Sequence, residues 1–371
     1  MFKHKILQNL LERGDWGQLA DFFTIFADKK GGGRVMKKFL SFLLIAMLVL
    51  TLAGCGQKAP APAANAPKEE PKAQTIRIAH TLAPESHYHK GLEKFASILE
   101  QKSGGKLKAQ IFHSAQLGSE RDAIEGVSMG TLEATLVSTA PLANFSKKFM
   151  VFDLPFIIQD RAVAFAAMDG EMGKGMLASL EAKGIKGLGF WENGFRMLTN
   201  SKKAINTPAD IAGLKIRLME NPVHVETFKV LGAQPVPMPF GELFTSLQQK
   251  TVDGQENPLV IIYTSKFYEV QKHLALTGHF YAPAAFLVSK SFYDKLSPEL
   301  QKALSEAEQE ARKWEREYCI NLEKDLVAKL KEKGMEVTTP DKKALQEATK
   351  SVYEKFKAEI GEDVINALLK K

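Results

Sequence analysis

Three segments decide the fold of this chain: GLKIRL at 213–218, PVPMPFGEL at 235–243 and VDGQENP at 252–258. In the first segment apolar and basic residues alternate, which is the period of a half-buried β-strand. Arg217 therefore leaves the strand on the face opposite its leucines. Upstream, TPAD at 207–210 has the pattern of a helix N-cap with proline at the first helical position, so a short helix leads into this strand. Together the segments place a cation, an aromatic and an amide at the ends of successive strands.

Arg217 is the residue in these segments with the clearest binding chemistry. A guanidinium can hold a carboxylate with two parallel hydrogen bonds, and a charge-assisted bond of this kind contributes roughly 1.5 to 3 kcal/mol. The same spacing fits a strand-end arginine that pairs with a surface acid. Asn257 similarly fits either a pocket or the cap of a helix beginning at Pro258, and Phe240 fits either a pocket or the core.

Further segments extend this pattern along the chain: QLG at 116–118, VFDLPF at 151–156, FWENGFR at 190–196, LGAQPVPMPFGEL at 231–243 and FYEVQKHLALTGH at 267–279. In this order and spacing, residues 75–371 resemble the solute-binding subunits of tripartite ATP-independent periplasmic (TRAP) transporters, the DctP family. The resemblance implies that Arg217 clamps the carboxylate of a ligand. It also implies that Arg196 and Asn257 complete the polar shell, that Phe240 packs on the ligand body, and that the partner is a membrane permease.

Three further residues are predicted to bind the ligand. His80 ends the first predicted strand and faces the expected cleft, so we expect it to donate a hydrogen bond to the ligand. Glu120 follows the QLG segment near a polar ligand group, although a helix N-terminal acid that complements the macrodipole is an equally good interpretation. Glu220, three residues beyond Arg217, is expected to accept a hydrogen bond from a ligand hydroxyl.

Short apolar strands alternate with amphipathic helices, so the fold class is α/β. The predicted strands are Ile76–His80, Leu107–Phe112, Leu132–Ser138 and Ile185–Trp191. The resemblance implies a two-domain, periplasmic-binding-protein-like (type II) fold with a long helix that spans both domains. Domain I is predicted at 75–195 plus about 285–320, and domain II at 196–284 plus about 321–371.

The long helix is predicted over residues 297–333, where proline occurs only at the start and glycine is absent. One helix of about 36 residues would be about 54 Å long, which exceeds a small domain. A coiled coil is the weaker alternative, because the apolar spacing is mostly four instead of alternating three and four.

The N-terminal region predicts an extracytoplasmic location. Residues 36–54 have a basic start, an apolar run and a small-residue cleavage site before Cys55, as in a lipoprotein signal peptide. The apolar run is shorter than the roughly 20 residues of a transmembrane helix, which is the alternative. Cys55 is then the lipidation site that anchors the protein to the membrane, and the proline-rich residues 55–74 form a tether. Residues 1–35 are interpreted as a mis-called upstream start, or alternatively as an amphipathic extension.

Composition excludes several function classes. From Cys55 onward the chain has 42 basic and 39 acidic residues, and a net charge of +3 does not indicate nucleic-acid binding. Cys319 is predicted to be a buried or half-buried helix residue, without an intramolecular disulfide. GVSMG at 126–130 matches a nucleophile elbow, but a helix precedes it and a strand follows it, the reverse of the required order. A metal site among His80, His87, His89 and His113 is a weak alternative, because His-x-His in a loop does not fix geometry.

The sequence therefore predicts a monomeric, lipid-anchored binding protein that captures an organic acid and delivers it to a TRAP permease, with neither enzymatic activity nor a cofactor. A C4-dicarboxylate suits two arginines, whereas a sugar acid suits the carboxylates of Glu120 and Glu220. The resemblance also disfavours sialic acid, because the sialic-acid binders of the family carry additional charged residues in the stretch that corresponds to LVSTAPL at 136–142, which is uncharged. The alternative function is a sensor lipoprotein that presents an organic acid to a receptor kinase.

Overall fold

The computed structural model describes residues 73–369. The predicted upstream start, signal peptide and Cys55, together with the tether as far as residue 72, lie outside this range. β1 begins at Gln74, the last residue of the predicted tether. No helix within the described range has the length and apolar character that a membrane crossing requires.

The first sheet has the strand order β2-β1-β3-β9-β4. Its strands are β1 (Gln74–Ala79), β2 (Leu107–Phe112), β3 (Ala134–Ser138), β4 (Ile185–Asn200) and β9 (Tyr281–Ser289). β1 pairs in parallel with β2 and β3, whereas β9 runs antiparallel to β3 and β4. The carboxyl ends of β1 and β3 therefore meet at one edge.

The second sheet contains the other half of β4 and five more strands. These are β5 (Lys215–Leu218), β6 (Gln234–Pro237), β7 (Gly254–Pro258), β8 (His273–Ala275) and β10 (Glu336–Thr338). β5 lies in parallel between β6 and β7, and β4 runs antiparallel to both β7 and β8. The predicted α/β class with two domains is confirmed. β9 pairs in the first sheet from Tyr281 onward, and the predicted domain bounds stay a prediction.

β4 connects the two sheets because it is longer than the predicted Ile185–Trp191. Its first part pairs with β9 up to Phe195, and its last part, from Arg196, pairs with β7. A register shift between Glu192 and Gly194 bends the strand at this crossing. Gly194 has φ of 122°, a conformation that glycine adopts without a Cβ penalty.

The helices cover both sheets. They are α1 (His87–Lys102), α2 (Glu120–Met129), α3 (Arg161–Asp169), α4 (Glu171–Ala178), α5 (Pro222–Val230), α6 (Leu243–Gln248), α7 (Leu259–Thr264), α8 (Lys290–Tyr293), α9 (Pro298–Glu323), α10 (Leu326–Glu332), α11 (Lys342–Ile360) and α12 (Glu362–Leu369). Short 3₁₀ helices lie at Ala140–Asn144, Lys147–Asp153, Glu181–Lys183, Pro208–Ile211, Phe240–Glu242 and Phe267–Glu269. The predicted cap at Thr207 is present, with Asp210 completing a capping box.

The single helix predicted over 297–333 is wrong in length. α9 has 26 residues and ends at Glu323, and α10 follows after Lys324 and Asp325. No glycine or proline marks this break, so local sequence could not reveal it. α9 crosses α1 and the first half of β4. There the indole of Trp191 stacks on Phe286 and donates to Glu308 Oε1 at 3.0 Å.

Gly91 lets α1 approach α9 closely, which gives a test of this packing. A Cβ at Gly91 would lie 2.5 Å from Trp191 Cζ3 and 2.7 Å from Glu315 Cγ. Alanine gains about 1 kcal/mol of helix propensity, but overpacking costs about 1 to 3 kcal/mol, so we expect Gly91→Ala to destabilise the protein. Urea unfolding measures the difference.

Gly175→Ala in α4 is the matched control, because nothing lies within 4 Å of its added Cβ. We expect this variant to be more stable by about 0.4 to 1 kcal/mol. A stabilised Gly91→Ala variant would contradict the close contact between α1 and α9.

Candidate functional site

A narrow cavity lies between the two sheets, at the carboxyl ends of their parallel strands, and its empty space of about 260 Å³ includes open solvent at its mouth. Open α/β sheets bind ligands at this edge. Five lining residues come from the first domain: Thr81, Leu82, Tyr88, Glu120 and Ser138. Five come from the second domain and its connections: Arg217, Met219, Phe240, Asn257 and Ile261. A ligand in this cavity would therefore contact both domains.

Arg217 is the one cation among the described residues that line the cavity. It is 2% exposed, and its Nε and Nη2 donate to the backbone carbonyl of Met238 at 3.0 and 2.7 Å. Its Nη1 has no partner among the described residues. Burial and the nearby charge of Arg196 lower the pKa of Arg217 to about 10, so the guanidinium stays charged at neutral pH. A buried donor of this kind is costly unless an acceptor is supplied.

Arg196 lies at the crossing of β4 and is not among the residues that line the cavity. Its guanidinium forms a two-pronged ion pair with Glu256, in which Nη2 donates to Oε1 at 2.7 Å and Nε donates to Oε2. Both side chains are fully buried. Most of the charge of Arg196 is therefore compensated within the protein, although its Nη1 has no partner among the described residues. Its predicted ligand contact stays a prediction.

The carboxylate of Glu256 is surrounded by positive and polar groups. His279 Nε2 lies 3.3 Å from Oε2, and His224 Nδ1 lies 4.0 Å from Oε1. Burial alone would raise the pKa of Glu256, but the charge of Arg196 and the contact with His279 outweigh it and hold the pKa below its usual value. Glu256 is therefore a permanent anion that fixes Arg196.

Glu120 brings a carboxylate to the cavity from the first domain. It is the first residue of α2, and its Oε1 accepts from the backbone N–H of Ser138 at 2.7 Å. Although Glu120 keeps some surface toward the cavity, protein atoms surround it. Burial raises its pKa, and the hydrogen bonds of Ser138 and the charges of Arg217 and Arg196 oppose this shift.

Asn257 and Phe240 line the cavity beside Arg217. Asn257 lies in β7 and its Nδ2 donates to Gln255 Oε1 at 2.6 Å. It does not cap α7, because the N-cap position there is Pro258. The ring centroid of Phe240 lies 5.9 Å from the Cζ of Arg217, near the limit for a cation–π contact.

Two predicted site residues, His80 and Glu220, are not among those that line the cavity. His80 Nε2 lies 3.0 Å from His89 Nδ1, and burial together with His89 lowers the pKa of His80 to about 3. The backbone carbonyl of Glu220 accepts from Asn144 across the two domains at 3.4 Å. The roles proposed for both side chains remain predictions.

Tyr88 and Ser138, which line the cavity from the first domain, were not predicted from the sequence. The hydroxyl of Tyr88 is buried without a partner among the described residues. Ser138 Oγ accepts from Asn193 Nδ2 at 3.3 Å. A polar residue at the end of a predicted strand was the available signal for Ser138, whereas Tyr88 has the spacing of a core residue.

Comparison with known proteins gives this arrangement a family. The model of the bacterial extracellular solute-binding proteins, family 7 (DctP), matches residues 78–359. The 2,3-diketo-L-gulonate-binding periplasmic protein YiaO of Escherichia coli (strain K12) is 39% identical over 277 residues, which are 74% of this chain and 84% of YiaO.

Two solved structures are also similar. The sugar acid binding protein DctPAm of Advenella mimigardefordensis, in complex with galactonate, is 41% identical with a TM-score of 0.79, over 81% of this chain and 99% of that one. A TRAP periplasmic solute binding protein of Sulfurospirillum deleyianum, with bound succinate, is 32% identical with a TM-score of 0.77, over 80% and 98%.

The chain therefore belongs to the extracellular solute-binding proteins of family 7, the solute-binding proteins of TRAP transporters. As a member of this family it is an extracytoplasmic protein that binds organic acids, and it is not an enzyme. The GVSMG segment also does not form a nucleophile elbow. It lies at the end of helix α2 and strand β3 follows it, whereas the elbow of a hydrolase follows a strand and begins a helix.

Glu256→Gln tests the buried ion pair. Removing one charge of a buried pair leaves the other uncompensated, which costs about 3 to 5 kcal/mol, so we expect a loss of this order in unfolding free energy at pH 7. Because the folded pKa of Glu256 is depressed, its stabilisation is present above the usual value of 4.5 and is lost as the pH falls below it. The difference from wild type should therefore shrink between pH 5 and pH 3, as urea unfolding would show.

Glu242→Gln, an exposed glutamate, is the control and should change stability by less than about 0.5 kcal/mol. A Glu256→Gln penalty that is small at pH 7, or constant with pH, would contradict the compensated pair.

Proposed function

We propose that this protein captures a sugar acid, with its carboxylate on Arg217, and delivers it to the membrane permease of a TRAP transporter. The observation that carries the proposal is Nη1 of Arg217, which has no partner within residues 73–369 and is buried at a cavity that both domains line. A ligand carboxylate would accept from this nitrogen. The carbonyl of Met238 already holds the other side of the guanidinium, so the donor is oriented before the ligand arrives.

The charges of the cavity favour one carboxylate over two. Glu256 compensates Arg196, which leaves Arg217 as the cation for an anionic group. A second ligand carboxylate would meet Glu120 on the opposite side of the cavity, and like charges repel strongly where water is excluded. Hydroxyl groups, by contrast, can donate to the Glu120 carboxylate and bond with the buried hydroxyl of Tyr88. A monocarboxylate with several hydroxyl groups can therefore form hydrogen bonds with Arg217, Glu120 and Tyr88.

Delivery of the ligand to the permease would depend on the fact that both domains line the cavity. A ligand that contacts both domains stabilises the form in which they are close, and the permease can then distinguish the loaded protein from the empty one. Lipidation at Cys55 would keep the protein at the membrane that holds this partner. No observation favours the receptor-kinase alternative.

Arg217→Lys tests the clamp. Lysine keeps the charge but loses the planar fork, so we expect the Kd for galactonate to rise roughly 10- to 100-fold, measured by isothermal titration calorimetry. Arg77→Lys is the matched control, because Arg77 also lies on a strand with a carboxylate partner, Glu133, away from the cavity. Equal effects in the two variants, or unchanged binding in Arg217→Lys, would refute the clamp.

Glu120→Gln tests the choice of ligand class. Wild type should bind galactonate more tightly than succinate, and Glu120→Gln should reduce this preference roughly tenfold. The substitution removes the repulsion of a second carboxylate, and it replaces a charged acceptor for the ligand hydroxyls with a weaker neutral one. Glu125→Gln, one turn further along α2 and 44% exposed, should leave the preference unchanged. A wild-type protein that prefers succinate would identify a dicarboxylate-binding member instead.

A further inference from the structure

A second group of polar side chains lies in the core beside Tyr88, and none of its members lines the cavity. His87 begins α1, and Glu315 and Cys319 lie four residues apart on one face of α9. One ligand atom from each residue, an imidazole nitrogen, a carboxylate oxygen and the thiol sulfur, lies within 4.8 Å of the other two. We name these three residues the α1–α9 cluster.

The polar atoms of the α1–α9 cluster are unusually poor in partners. His87 and Glu315 are 0% exposed and Cys319 is 1% exposed. Neither ring nitrogen of His87 nor Oε1 of Glu315 has a hydrogen-bond partner among the described residues. Glu315 also forms no ion pair with the described cations, because Arg316 pairs with Asp169 and Arg161 with Glu192. Buried polar groups normally have hydrogen-bond partners, so the lack of partners at these three atoms requires an explanation.

We propose that the α1–α9 cluster binds a divalent transition-metal ion of the Zn²⁺ type, which ties α1 to α9. Imidazole nitrogen, thiolate sulfur and carboxylate oxygen are the three donor types that Zn²⁺ uses in proteins. A divalent ion with one thiolate and one carboxylate is electrically neutral, which suits a site without solvent. The three donors belong to the two helices that cross over the first domain, so the ion would hold their crossing.

The backbone of Glu192 supports this assignment. Its N–H donates to Oε2 of Glu315 at 3.0 Å, which orients the carboxylate and leaves Oε1 for the ion. The backbone of Glu192 also lies beside the His87 ring. Protein ligands to metals are typically oriented by such outer partners, and a ligating histidine commonly donates its other N–H to a carbonyl.

The test is to refold the full chain from a denaturant that contains a chelator, with Co²⁺ or Zn²⁺ alone added during refolding. We expect about one tightly held ion per chain by elemental analysis and, with Co²⁺, the near-ultraviolet absorption band of a thiolate ligand. Refolding is needed because a buried site must fill as the helices come together.

Three variants identify the ligands. Cys319→Ala should lose the cobalt band and the bound ion, and Glu315→Gln, nearly identical in shape, should weaken metal retention at least tenfold. Cys55→Ala is the matched control that removes the other thiol, and it should retain both signals. Circular dichroism checks that each variant folds. The proposal is overturned if refolded wild type holds no ion, if the band survives in Cys319→Ala, or if it vanishes in Cys55→Ala.

Discussion

The buried ion pair between Arg196 and Glu256 is the interaction on which the rest of this structure depends. Arg196 is the first residue of β4 to pair in the second sheet, and Glu256 lies on the neighbouring β7, so the pair holds the point where the chain passes from one domain to the other. It also sets the electrostatics of the cavity. Two uncompensated guanidinium groups in a dry site would repel each other, whereas Glu256 leaves Arg217 as the group that a ligand anion meets.

The specificity of binding then depends on which polar groups of the cavity already have hydrogen-bond partners within the protein. The side chains of Arg217 and Asn257 each already donate a hydrogen bond to a neighbouring protein group, and this bond fixes their orientation. Two atoms of residues that line the cavity, Nη1 of Arg217 and the hydroxyl of Tyr88, have no partner among the described residues, and they come from different domains. A ligand that completes both bonds gains most when the domains are close together, so recognition and closure are one event.

Part of this arrangement could be predicted from sequence because it is local. The alternation around Arg217 and the cap at Thr207 identified the strand and the helix before it. Arg217, Asn257 and Phe240, which the family resemblance named, all line the cavity. Other features depend on distant contacts. The pairing of Arg196 with Glu256 requires the register of β4 against β7, and the end of α9 at Glu323 has no local signal.

A crystal structure of the chain with a bound sugar acid would locate the ligand carboxylate and so decide whether Arg217 is the clamp. We expect a carboxylate oxygen about 2.7 to 2.9 Å from Nη1 of Arg217, with Met238 still bonded to the other side of the guanidinium and Arg196 still paired with Glu256. A carboxylate bound elsewhere, with Nη1 of Arg217 still lacking an acceptor, would contradict this expectation.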